Sequence, residues 1–331
     1  MKIVWHTKEA ERIIGIAMRR CYTTKPIELI EEEVTPEYGA YLSASAYQRM
    51  EFDVYEHVRI TVLADLSADD LLSLLLKYRY LDATPLTKES WLISFNLRTA
   101  VEAAMSGDTE FQKITESVAP TISNCIKGQS PPPRPTPPEV KQSVQVSQEP
   151  KVVILQAFTP LDLKRALLNY GLELSAQGDE LARHCFVTFA IEGISRVCSH
   201  QLVRHRPVSF SQESQRFSAA VEEDFIMPDT ISMNQSAKEL TLRLFRQAKE
   251  CYARLRELGI KKEDARFVLP MAISTKLLMT VQIKYLKHIL FYRSSVTSIG
   301  LKAQWEIRRL SDKMLSLMKQ IMPDLFSQLA P

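Results

Sequence analysis

The chain has 331 residues, 45% of them hydrophobic and 24% charged, with a formal net charge of +3. That make-up is one of a globular protein long enough for two domains of ordinary size. A surplus of three positive charges carries no argument for nucleic acid, and no run approaches the roughly eighteen apolar residues a membrane helix needs. Five scattered cysteines without a Cys-x-x-Cys fit a reducing compartment better than a disulfide framework or a zinc site. The start, MKIVWHTKEAERII, lacks the apolar core of a signal peptide, so a cytoplasmic location is expected. Among nine glycines there is no Gly-rich phosphate loop.

Taken in order, MKIVWHTKEAERIIGIAMRRCY reads as a short strand, a turn and an amphipathic helix. HVRITVLADLS follows as a β-branched strand, then a helix ending LLLKYR, a strand-then-helix SWLISFNLRTAVEAAM, and a closing helix QKITESVAPTI. Residues 129–150, rich in Pro, Ser and Gln, cannot bury a core and read as an extended linker. Beyond it the pattern restarts. KVVILQAFTPLDLKRALLNY repeats the strand, turn and helix; HCFVTFAIEGIS repeats the strand; QLVRHR ends the next helix; KLLMTVQIKYLKHIL and AQWEIRRLSDKMLSLMKQIMPDLF close the chain. Thr61 and Thr188 each stand four residues after a histidine, His57 and His184. These landmarks, shared in order, predict an internal duplication of residues 1–128 and 151–331. An insertion, 218–262, is mostly helical, with Leu240, Leu244 and Ala248 expected to pack inward.

The densest polar stretch is Gln201–Phe217, QLVRHRPVSFSQESQRF. Pro207 pushes Arg206 out of the α region, so a helix is expected to end at Arg206 and the polar run after it to be a loop. On that helix Arg196, His200 and Arg204 would share a face. Guanidinium forks beside Ser209, Ser211 and Ser214 suit a phosphate; a solvated basic helix end is the plain alternative. Arg266 and Arg293 could join this site, although Arg266 could equally pair with Glu263. Cys198, between apolar positions, reads as core rather than as a thiolate. The serines lack an Asp/His relay in spacing, and no His/Cys/Asp cluster has metal-ligand spacing. Phe210 and Phe217 alternate too regularly with polar residues for a nucleic-acid stacking platform. The site reads as one that binds and polarises anions and leaves the hard chemistry to a cofactor.

TFAIEGISRVCSHQLVRHRPVSFSQESQRF resembles the signature of flavin-dependent thymidylate synthases: Arg204-His205-Arg206, seven residues, then Ser214. EDARFVLP, the Arg293 segment and AQWEIRRL are similar to the family's later blocks, and the first part resembles it more faintly. The resemblance implies an α/β fold of the α+β type, with a mixed sheet flanked by helices in each of two tandem repeats. It implies methylation of dUMP to dTMP with carbon from methylenetetrahydrofolate, NADPH reducing bound FAD, and no cysteine nucleophile. Gln201, Arg204, Gln212, Glu213, Ser214, Arg216, Arg266 and Arg293 match dUMP-contacting positions, with Arg204, Ser214 and Arg293 as the catalytic candidates. His205, Arg206, Pro207 and His288 fall on the flavin side. The family assembles as a homotetramer with sites shared between subunits.

Departures from the family pattern are paired. The second part has Arg183 where a flavin-contacting Glu is expected, and Gln282 and Lys284 where an Asn-x-Arg pair is expected. The first part keeps Glu56, Asn96 and Arg98, with Asp53 and Glu51 at the preceding Thr/Ser and His positions, but has Leu74 and Lys77-Tyr78-Arg79 in place of the Gln and Arg-His-Arg. One composite site per chain, in a homodimer that imitates a tetramer, follows as an expectation. A non-catalytic flavin- or nucleotide-binding relative is the alternative.

Overall fold

A computed structural model describes residues 1–78, 80–138, 149–172, 179–218 and 225–329. Two four-stranded sheets form the frame. The first holds β1 (Lys2–His6), β2 (Arg59–Asp65), β3 (Asp82–Pro85) and β4 (Ser90–Asn96); the second holds β5 (Lys151–Phe158), β6 (Phe186–Ser195), β7 (Val208–Gln212) and β8 (Ser274–Gln282). Their orders are β1-β2-β4-β3 and β5-β6-β8-β7. Every pairing is antiparallel, so the expected mixed sheet is corrected: each sheet grows by strands that reverse direction, and none by a parallel crossover. Each first strand is bulged at the same place, between Ile3 and Trp5 and between Ile154 and Gln156.

Alternation along the central strands sets the layers. One face of the first sheet, with Ile60, Val62, Ile93 and Phe95, packs under helices that supply Ile14, Ala17, Val101 and Phe111. The matching face of the second, with Val187, Phe189, Leu277 and Val281, packs under Leu286, Ile289, Leu310 and Met314. The opposite faces meet each other. Ala190 and Leu278 belong to the first half's cluster, while Leu92, Leu63 and Trp5 join the second's.

Polar residues sit at the centre of that meeting. His57, at the end of a 3-10 turn Phe52–His57, is fully buried and bonds through Nδ1 with Thr280 Oγ1 at 2.8 Å and through Nε2 with Ser211 Oγ at 2.9 Å. His184 bonds through Nδ1 with Ser94 Oγ and through Nε2 with Thr84 Oγ1, both at 2.8 Å. Thr61 bonds with Ser94 at 2.8 Å, and Thr188 with Thr280 at 2.7 Å. Each half's histidine therefore completes its hydrogen bonds in the other half's sheet. A buried ion pair, Arg20 with Glu192 at 3.3 Å, crosses the same boundary, and Glu192 also accepts the Ile27 N–H at 2.7 Å.

Three local expectations are corrected. The helix before the Arg-rich stretch spans Arg196–Leu202, so Arg204 lies beyond it and shares no helical face with Arg196 and His200. The run expected to be a loop is strand β7, because Val208 and Phe210 alternate with Ser209 and Ser211 and the edge of β8 is there to pair with. On the inserted helix Gln235–Glu257 the buried face is Phe245, Ala248 and Tyr252, whereas Leu240 and Leu244 are 60% and 55% exposed. The stacked Phe225–Phe245 pair turns that helix away from the expected stripe. In the linker, residues 129–138 have no regular structure, and 139–148 lie outside the described residues, as does Arg79.

Burial lowers the His57 and His184 pKa values from 6.5 to about 4 and about 3, with the Arg183 and Arg59 charges adding to the effect at His184. Both imidazoles are neutral in the folded chain. Below pH 6.5 the unfolded chain takes up protons that the folded chain refuses, so stability is complete above that pH and is lost as pH falls. At about 1.4 kcal/mol per pH unit per group, the pair should remove roughly 4 kcal/mol between pH 7 and 5. Urea midpoints at the two pH values measure this; an unchanged midpoint would contradict neutral buried imidazoles, and His57→Gln should flatten about half of the slope.

Candidate functional site

The turn from Val203 to Pro207 carries the Arg-rich stretch off the end of helix Arg196–Leu202 and into β7. Arg206 and Pro207 thereby reach a cavity of about 160 Å³ that also takes lining from Glu56 and Asn96 of the first half, with Ser209, Gln282 and Tyr285. Glu56 is held from both halves: Arg98 Nη1 donates to one oxygen at 2.8 Å and Ser209 Oγ to the other at 2.9 Å. Arg98 Nε donates to Glu102 at 2.7 Å. Asn96 ends β4 and caps the next helix, its Oδ1 accepting from Thr99 N–H at 3.0 Å, which leaves its amide N–H groups for the cavity. Gln282 occupies the same place at the end of β8 and spends its amide on Asp82 and on the Arg183 carbonyl.

A second cleft, of about 510 Å³, adjoins the first through Arg206, Pro207, Val208 and Tyr285, and adds Arg204, His205, Lys284 and His288. Burial, with the Arg293 and His288 charges nearby, lowers the His205 pKa, so its ring is neutral near pH 7. His205 Nε2 and Arg293 Nε are buried without a hydrogen-bond partner. Buried donors and acceptors of that kind are costly unless something completes them.

The remaining predicted residues gather where β7 ends against the first half. Ser214 N–H donates to the Cys21 carbonyl at 2.9 Å. Gln212 Nε2 reaches Ser199 and Thr275, at 3.0 and 3.1 Å. Both Glu213 carboxylate oxygens are buried without a hydrogen bond, although Lys276 Nζ stands 3.8 Å away. Arg216 pairs with Glu263 at 3.2 Å, and Arg266 Nε donates to the Glu263 carbonyl at 3.0 Å. Gln201 turns back on its own helix, to the Val197 carbonyl at 3.4 Å. Arg266 thus joins Arg216 at Glu263, whereas Arg293 lies near His205.

Sequence reasoning missed Arg59, Asp82 and Tyr285 as cavity lining. The available signal was Arg59 itself, a charge opening a strand whose interior is otherwise apolar or hydroxylic. Among the described residues no cluster of His, Cys, Asp and Glu could hold a metal ion, and no helix is long and apolar enough to cross a membrane.

The sequence family described as thymidylate synthase complementing protein matches residues 139–324, more than half of the chain. The flavin-dependent thymidylate synthase of Thermococcus onnurineus is 41% identical over 164 residues, 48% of this chain and 65% of the relative. That of Pyrococcus furiosus is 38% identical over 156 residues, 46% and 59% of the two lengths. That of Nitratidesulfovibrio vulgaris is 39% identical over 185 residues, 50% and 74%. The chain therefore spans less than two thirds of the length of the first two relatives.

Thiol chemistry finds no support in the geometry. Cys185 and Cys198 are buried, and burial pushes both thiols far above the ordinary range; Cys21 is pushed up to about 12. Only the thiolate reacts readily. Brief treatment of the native protein with iodoacetamide near pH 8 should label exposed Cys251 first and spare Cys185 and Cys198 until denaturant is added. Peptide mass mapping reads the order, and early labelling of Cys198 would restore it as a nucleophile.

Proposed function

Because the chain belongs to the thymidylate synthase complementing protein family, we propose that it is a flavin-dependent thymidylate synthase. It would convert dUMP to dTMP in the cytoplasm with methylenetetrahydrofolate as carbon donor, NADPH as reductant and FAD as bound cofactor. The observation that carries this reading is the cavity shared by Glu56 and Asn96 of the first half with Arg206 and Pro207 of the second. It supplies from the first half the residue types whose places in the second are taken by Arg183 and Gln282.

The side chains present suit a flavin. Cavity and cleft form one groove through their common lining, and the groove is edged by a buried polar atom that lacks a partner, His205 Nε2. Glu56, Asn96, His205, Arg206, Pro207 and His288 would hold the cofactor, with Arg98 orienting Glu56. Hydride transfer is the chemistry a bound flavin supplies there. Arg204, Arg293, Ser214, Arg216 and Arg266 would hold and polarise dUMP, with Gln201, Gln212 and Glu213 fixing its orientation. Fixed guanidinium groups in a site that excludes water stabilise developing negative charge without reorganising. The half-buried, neutral His205 adds a directional donor or acceptor but no charge.

The chain is read as two copies of one unit, residues 1–128 and 151–331, joined by the linker 129–150. The shared strand order, the matched bulges and the reciprocal histidines support that reading. The separation of Arg216 and Arg266 from Arg293 within one chain favours sites completed between chains, in a homodimer equivalent to four units.

The purified protein should be yellow, should bleach with NADPH, and should sediment as a dimer. Glu56→Ala and Asn96→Ala should weaken FAD binding at least about tenfold, the loss of one or two charge-assisted or buried hydrogen bonds, while leaving dUMP binding in place. Arg204→Ala should do the reverse. Full flavin binding by the first-half variants would remove the composite site. A protein that binds flavin and dUMP yet forms no dTMP with both co-substrates would be a non-catalytic relative.

A further inference from the structure

Arg59 and Phe186 hold the same place in the two sheets. Arg59 opens β2 and pairs across to Asn96, the last residue of β4; Phe186 opens β6 and pairs across to Gln282, the last residue of β8. Their fates differ. Phe186 is 1% exposed and packs edge-on against Trp5 at 5.3 Å, while Trp5 stacks on Phe158 at 4.1 Å. These three aromatic rings close off that place between the sheets. The equivalent place in the first sheet is taken by a guanidinium, lining the 160 Å³ cavity with Glu56, Asp82, Asn96, Arg206 and Tyr285.

The Arg59 backbone is anchored, its N–H donating to Thr7 Oγ1 at 3.0 Å and its carbonyl accepting from Thr7 N–H at 2.9 Å. Its guanidinium makes no hydrogen bond or ion pair with a described residue. The carboxylates nearest to it are already engaged: Glu56 by Arg98 and Ser209, and Asp82 by Gln282. Burial acts to lower the Arg59 pKa against the opposing pull of Asp82 and Glu56, so the protein bears a cost to keep this charge in place. Arg206 adds a second cation to the same walls. With Glu56 balanced by Arg98, the walls of this 160 Å³ cavity carry two guanidiniums against one carboxylate, Asp82, with room for a phosphate. Guanidinium forks match phosphate oxygens in pairs.

We propose that Arg59 is a cofactor-binding residue particular to this chain, which grips the diphosphate group of the flavin dinucleotide together with Arg206. The proposal rests on the flavin-site reading above and adds to it the residue that replaces the aromatic seal. Another source of the same chemistry, the monophosphate of dUMP, is separated by the test.

Full-length wild type, Arg59→Gln and Arg59→Phe are titrated with FAD, riboflavin, dUMP and inorganic pyrophosphate by calorimetry and flavin fluorescence. In both variants FAD and pyrophosphate should weaken roughly 10- to 100-fold, as expected for loss of a charge-assisted pair. Riboflavin and dUMP should bind as in wild type. The ligand-free variants should melt at or above the wild-type temperature, since removing an unpartnered cation relieves strain, and this outcome separates a binding role from a folding defect. Unchanged FAD affinity, or riboflavin weakened as much as FAD, would overturn the assignment. A loss that falls on dUMP rather than FAD would move Arg59 to the substrate and overturn it as a flavin residue. A wild type that binds pyrophosphate through Arg59 but no flavin would keep the anion grip and sink the flavin reading; one that binds neither would end both.

Discussion

Everything in this molecule hangs on two imidazoles that exchange places. His57 leaves the first half and finds its acceptors and donors on β7 and β8, and His184 finds its own on β3 and β4. A buried imidazole nitrogen without a partner is costly, so neither sheet can shift against the other without orphaning four polar contacts at once. Register at the interface is therefore fixed by directional bonds rather than by apolar packing alone, which tolerates sliding. The contacts that build the cavity lie on this locked frame: Ser209 stands two residues before Ser211, and Glu56 one residue before His57. The His57 bonds thus help to set the Glu56–Ser209 contact of 2.9 Å.

What could be read from the sequence followed sequence distance. Strand and helix order, the linker and the repeated landmarks were legible because each depends on local periodicity. The His57–Thr61 and His184–Thr188 spacings were visible too, but as a repeat and not as an interlock, since the partners of His57 lie 154 and 223 residues away. From the sequence strand β7 reads as a loop, because its hydroxyls look like turn chemistry until the waiting edge of β8 is known. Leu240 and Leu244 read as core because an apolar stripe does not reveal which of two stripes faces inward, and Phe245 with Tyr252 holds the inner one.

The candidate site divides in the same way. Its signature, Arg204 to Ser214, is local and was recognisable at once. Its first-half contribution was inferred from departures, Arg183 against Glu56 and Gln282 against Asn96, and the structure brings Glu56 and Asn96 to the same cavity as Arg206. Grouping by function did not survive equally well: Arg266 stands with Arg216, and Arg293 with His205. Nothing local distinguishes arginines that gather on one wall from arginines that gather on two.

The exchange of an aromatic seal for a guanidinium at equivalent strand positions has a consequence for how such a chain can change. In an assembly of identical subunits, any substitution near a symmetry axis appears on both sides of it, so a residue that opens one pocket must open its twin. Two halves of a single chain escape that rule. Trp5, Phe158 and Phe186 can close one position while Arg59 keeps the equivalent position open, and each half is free to be sacrificed to the other's benefit.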